Sequence, residues 1–199
     1  MRTLFVIALV VALSACSAPA VPDQSYFRMP PVAITALAEP SPRSPLPIVV
    51  EPFRANGVYN DQSILYALSP DGSIKVYHYQ MWDEAPSILL QRRLIADLRA
   101  RDAADLVSNR LPAAVPALRV SGNIEQFERV QTDSGWVARV RIELRVERNA
   151  QSVPLLLHTY AAEVAAENDS IQSSVRAFAR AVDQCHAEFW SDLPVAFVP

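Results

Sequence analysis

Few residues in this 199-residue chain are of the type and spacing that do chemistry, and the first of them is a cysteine. Arg2 gives a positive start, Leu4 to Leu13 form an apolar run, and Leu13-Ser14-Ala15-Cys16 closes it. A run of about ten apolar residues is too short to span a bilayer, which takes about 20. Small residues before a possible cleavage point are the grammar of a secretory signal. Leucine, two small residues and cysteine also match the bacterial lipoprotein box. In that chemistry the Cys16 thiol takes a diacylglycerol, and cleavage before it frees an amine for a further acyl chain such as palmitate. Three acyl chains hold a protein far better than the single chain that anchors marginally. The expectation is a signal peptide over 1–15 and a mature N-terminus at Cys16, anchored to a membrane without spanning it. Ser17 stands where aspartate would favour retention in the inner membrane, so the outer membrane, facing the periplasm, is the expected location.

Catalytic constellations are absent. The three histidines, His78, His158 and His186, have no partner at zinc-site spacing. The four glycines, Gly57, Gly72, Gly122 and Gly135, stand too far apart to cradle a phosphate. No Gly-x-Ser-x-Gly elbow occurs. The reading is a non-enzyme without cofactor or metal. Loss of Arg2 with the signal peptide would take the formal charge from −3 to −4, which argues against a nucleic-acid partner. With Cys16 acylated, Cys185 would have no thiol to pair with. It reads as a buried small hydrophobe or a reactive thiol.

The elements that must position these residues follow from spacing. Pro19, Pro22, Pro30, Pro31, Pro40, Pro42, Pro45 and Pro47 crowd residues 17–47 and exclude a helix. Residues 16–45 read as a lipidated, proline-rich tether. Its 31-residue proline-rich stretch, 17–47, would reach at most about 90 Å at ~3.1 Å per residue. Tyr26-Phe27-Arg28-Met29-Pro30 within it reads as a short strand docking on the domain. The domain, 46–199, opens with a strand over 48–53. A hairpin over 63–68 and 74–79 turns at Ser69-Pro70-Asp71-Gly72, a strong type I sequence. Asp83, Glu84 and Pro86 fit the start of a helix carrying Leu90, Leu94 and Leu98 on one face. Strands near 116–128, 136–148 and 153–165 follow. In the second, Val140, Ile142, Leu144 and Val146 alternate with Arg139, Arg141, Glu143, Arg145 and Glu147, so one face is dry and one charged. A last helix over 170–190, capped by Asn168 or Asp169, carries Ile171, Val175, Phe178, Val182, Cys185 and Phe189 as one stripe. That stripe either packs on the dry sheet face or forms an oligomer seam. The fold class is α+β, a mixed or antiparallel sheet of about six strands with two helices on one face.

These features in order resemble the ABC-type transport auxiliary lipoprotein family, which includes the PqiC-like proteins. They are the lipoprotein box, Tyr26-Phe27-Arg28-Met29-Pro30, Glu51-Pro52, Ile64-Leu65-Tyr66, Val76-Tyr77-His78-Tyr79-Gln80-Met81-Trp82, Pro86 and the Leu90/Leu94/Leu98 helix. The proline-rich insertion and the stretch Leu193 to Pro199 depart from the family pattern. The resemblance implies an accessory part of a transport system that moves lipids or other apolar molecules. Its partners would be an MCE-domain protein with an ABC permease and ATPase, and it could form a homo-oligomer. Tyr77, Tyr79 and Trp82 match the family's aromatic motif and are either core or partner contacts. Two alternatives stay open: a periplasmic lipid carrier, and a structural envelope lipoprotein with no transport role.

Overall fold

A computed structural model describes residues 22–32, 43–148 and 153–197. Its strands are β1 (Ser25–Phe27), β2 (Ile48–Val50), β3 (Arg54–Ala55), β4 (Ser63–Ala67), β5 (Lys75–Trp82), β6 (Val107–Ser108), β7 (Leu118–Thr132), β8 (Gly135–Arg148) and β9 (Leu156–Ala165). Its helices are α1 (Pro86–Ala100) and α2 (Ile171–Asp192), with 3-10 turns at Gly57–Asn60 and Leu193–Phe197. The signal peptide, Cys16 and tether residues 17–21 and 33–42 lie outside the described residues.

The hairpin of β7 and β8 organises the sheet. The two strands pair antiparallel from Leu118↔Arg148 to Thr132↔Gly135, and β9 pairs antiparallel along β8. On its other edge β7 takes three short parallel strands in turn: β2 at Leu118–Val120, β3 at Asn123–Ile124 and β4 at Arg129–Val130. The sheet continues from β4 antiparallel to β5 and then parallel to β1. Across its broad part it therefore runs β1-β5-β4-β7-β8-β9. The expected α+β class and the count of about six strands hold, with β6 added parallel to β2 and the 48–53 strand split into β2 and β3.

The alternation on β8 has the expected consequence. Ala138, Val140, Ile142, Leu144 and Val146 are buried, while Arg139, Glu143, Arg145 and Glu147 are partly exposed. On β7 a one-residue irregularity between Ile124 and Gln126 flips the parity. The buried even positions before it give way to Phe127 and Arg129 on the helix side, opposite Val140 and Ala138. Such a bulge bends the strand and raises its twist.

Both helices cover the dry face. Leu90, Leu94 and Leu98 of α1 and Val175, Phe178, Val182, Cys185 and Phe189 of α2 are buried in one core with the sheet residues. The α2 stripe therefore belongs to packing. Two capping expectations are corrected. Ser170, not Asn168 or Asp169, caps α2: its Oγ accepts from Ser173 N at 3.1 Å. Asn168 supports that cap, because its Oδ1 accepts from Ser170 N and Oγ. At α1 the cap residue is Ala85 without a side-chain bond, and Pro86 opens the helix where its missing N–H costs nothing. Asp83 and Glu84 are instead paired with Arg28 and Arg92.

The docking of the aromatic patch holds, and it shortens the tether. β1 pairs with β5 as Ser25↔Gln80, Tyr26↔Met81 and Phe27↔Trp82. Asp83 N donates to Phe27 O at 3.0 Å, Arg28 Nε to Asp83 Oδ2 at 2.8 Å, and Arg93 Nη1 to Pro30 O at 2.6 Å. Met29 enters the core. Farther on, Arg43 pairs with Asp102 and Asp105.

Candidate functional site

The aromatic motif on β5 sits at an irregular pairing. Leu65 pairs with Val76 but Ser63 pairs with Met81, so Ile64 alone on β4 faces Tyr77 to Gln80 on β5. Strict alternation would send Tyr77 and Trp82 to opposite faces. The surplus residues bring both to the helix side of the sheet. Trp82, 1% exposed, packs on Phe127 and Phe178 with ring centroids 5.3 and 5.2 Å away. Trp82 thus lies in the core of the domain, with almost no surface exposed. Tyr77 is half-buried and stacks on Tyr66 at 4.2 Å. Tyr79 is also half-buried.

Tyr77 belongs to a second arrangement that sequence reading missed. The Arg129 guanidinium, 1% exposed, lies 3.7 Å from the Trp136 ring centroid and 5.9 Å from that of Tyr77. Tyr66 meets Trp136 edge-on at 6.3 Å. Arg129 Nη2 donates to the Asp169 carbonyl oxygen at 3.0 Å, and Nε has no partner among the described residues. Burial lowers the Arg129 pKa and raises that of Tyr77. A buried cation faced by π clouds and a carbonyl can be held, but sealed from solvent it cannot meet a substrate. Arg129 is a clamp between the sheet and the start of α2. The cause lies in the pairing with β8: the parity shift after Glu125 turns Arg129 to the same face as buried Phe127.

Between the helices lies a polar cluster. Arg93 Nε and Nη2 donate to Asp183 at 2.9 and 2.8 Å, and Arg101 Nε donates to Asp97 at 3.0 Å. Burial raises the pKa of both carboxylates against the pull of their arginines. Neither ring nitrogen of His186, which is buried beside them, finds a partner among the described residues. Burial, with Arg93 and Arg101 adding to it, pushes the His186 pKa down to about 3. Burial pushes the Cys185 thiol up to about 12, so of the two sequence readings Cys185 fits the buried hydrophobe. His158 is exposed on β9. No group of three or more His, Cys, Asp or Glu among the described residues could hold a metal. No helix among them is long and apolar enough to cross a membrane.

Two surface grooves of about 650 Å³ are present. One lies between Met29–Val32 and α1 and contains the Arg28–Asp83 and Arg92–Glu84 pairs. The other, around Gly122, is lined by Glu51, Arg54, Glu143, Arg145 and Glu147. Large apolar side chains are exposed singly at Tyr26, Val58, Ile88 and Val195 and in two groups at the ends of the sheet. Leu68 and Ile74 flank the β4–β5 turn, at the end where β7 also turns into β8. Leu106, Val153 and Leu157 stand at the opposite end, by β6 and the start of β9.

Comparison with solved structures shows the same fold elsewhere. Protein XCC0632 from Xanthomonas campestris, of the DUF330 family, superposes with a TM-score of 0.72 at 12% identity, over 87% of this chain and 96% of its own. An uncharacterised protein superposes with a TM-score of 0.66 at 14% identity, over 86% and 99%. The hypothetical protein CT253 from Chlamydia trachomatis gives 0.52 at 10%, over 78% and 98%. No curated protein matches the sequence. The profile of one family does match, over residues 28–189, from the segment that ties the tether down to the last buried phenylalanine of α2. The chain therefore belongs to the family of ABC-type transport auxiliary lipoprotein components.

Proposed function

We propose that this protein is an outer-membrane lipoprotein, acylated on Cys16, that serves a transport system without catalysing a reaction itself. Its partners are an MCE-domain protein with an ABC permease and ATPase, and the cargo is lipid or another apolar molecule. The observation that carries this reading is the family match over residues 28–189, which takes in nearly all of the folded domain. The side chains agree with an accessory part. The core packs as one cluster, the groove around Gly122 is lined mainly by polar and charged side chains, and the open groove beside α1 mixes Met29, Val32 and Leu89 with two ion pairs, where a ligand site favours enclosed apolar walls. That weighs against a lipid carrier. Tyr79 and the accessible side of Tyr77 are contact candidates, together with Leu106, Val153 and Leu157.

The test is mild crosslinking of the full-length lipoprotein in its native envelope, followed by affinity capture and mass spectrometry. The expected result is an MCE protein with its permease and ATPase. Recovery of cell-wall or secretion components with no MCE protein would refute the reading and favour a structural lipoprotein.

A further inference from the structure

The stitching of residues 25–30 onto the domain limits where the domain can stand. We propose that the domain rests end-on against the bilayer that holds its acyl chains, with the β4–β5 turn at the lipid surface and the end carrying Leu106, Val153 and Leu157 turned away. The inference rests on acylation of Cys16.

Three observations carry it. The first is chain length. Nine residue steps lead from Cys16 to Ser25, and at about 3.3–3.6 Å each they reach at most ~30 Å. The second is direction. β1 runs parallel to β5, so the chain preceding Ser25 arrives from the side of Lys75 and the turn. Ser25 lies level with Gln80, and Met81 pairs with Ser63. From that level to the turn is the length of Ser63 to Leu68, about 17 Å at ~3.3 Å per residue. The leash therefore extends only some 10–15 Å past the turn in that direction. The third is surface chemistry. Leu68 is 51% and Ile74 40% exposed on either side of the turn, with Pro70 between them. Charges at this end are mixed, with exposed Asp71 and Asp133 near exposed Lys75 and with Arg139 donating to Pro70 O, so they supply no net pull toward an anionic surface. The short leash and the apolar side chains carry the contact.

The experiment uses the full-length acylated protein in vesicles of phosphatidylethanolamine and phosphatidylglycerol that contain a headgroup-quencher lipid. A fluorophore is placed at Asp71→Cys or, at the opposite end, at Val153→Cys. Both sites are exposed, and the buried Cys185 thiol does not compete for label. Quenching severalfold stronger at 71 than at 153 is the expected result. Equal quenching, or stronger quenching at 153, in protein that floats with the vesicles would overturn the orientation and leave the anchor standing. Failure to float would overturn the anchor itself and the inference with it.

Discussion

Replacement of Trp82 by alanine decides whether the family's aromatic motif holds the domain together or faces a partner. The indole is 1% exposed and wedged between Phe127 and Phe178. Truncating a buried aromatic to alanine costs about 3–5 kcal/mol. Each aromatic contact adds about 0.5–1.5 kcal/mol beyond burial, which places this site in the upper part of that range. For a domain of this size each kcal/mol moves Tm by about 2–4 °C, so Trp82→Ala should lose roughly 10–15 °C. Trp82→Phe keeps a ring in the same space and should cost about 1–2 kcal/mol. Tyr79→Ala, at a half-buried position, should move Tm by no more than about 3 °C, as substitutions away from the core do. The assay is thermal denaturation followed by near-UV circular dichroism on unacylated Cys16→Ser protein. If Trp82→Ala melts within a few degrees of the parent while partner capture is lost, the indole is a contact and the packing argument fails.

Gly122 faces the ring of Phe53, and a Cβ there would lie 2.6 Å from Phe53 Cε2. Gly122→Ala should therefore lower stability by about 1–3 kcal/mol in urea, and Phe53→Leu should recover part of that loss in the double variant. Failure of the second change to relieve the first would show that the contact is not the cause. His186 supplies a pH dependence with a definite sign. Its folded pKa, near 3, lies below the unfolded value, so below about pH 6.5 the unfolded chain takes a proton that the folded one refuses. Stability should be full above that pH and fall on acidification by up to ~1.4 kcal/mol per pH unit. The raised carboxyls of Asp97 and Asp183 act in the opposite sense at lower pH. The comparison therefore belongs between pH 7.5 and 5.5, where His186→Leu should flatten the decline in urea midpoint. An unchanged slope would contradict it.

Regular elements were legible in the sequence because one periodicity each specified them. The alternation of Val140 to Val146 placed the dry face of β8, and the spacing of Leu90, Leu94 and Leu98 placed α1. What sequence did not show were the irregularities. The surplus residues at Tyr77–Gln80 and the extra residue near Glu125 shift parity, and a shift shows only once the partner strand is known. That is why Tyr77, Tyr79 and Trp82 read as one group when they occupy different environments, and why Arg129 did not read as buried. The short strand β6 and the break of the 48–53 strand into β2 and β3 depend on long-range pairing that no local pattern encodes.

The prolines before the domain invite a reading in which the tether sets how far the protein reaches from its membrane. The stitches at Phe27, Arg28 and Pro30 point elsewhere. An unbound tether would let the domain drift through about 90 Å and take any orientation. With residues 25–30 held against β5 and α1, the free length before the domain is nine residues. The distance from the lipid surface to the far apolar fringe then rests on β7, whose 15 residues span about 46 Å at ~3.3 Å per step. A rigid hairpin makes a better spacer than a proline-rich leash for a part that must meet an assembly at fixed height, because ordering a flexible chain on docking costs conformational entropy. On the proposed orientation, the stitched N-terminal segment turns an anchor into a stand, and the β7–β8 hairpin carries its partner-facing end into the periplasm.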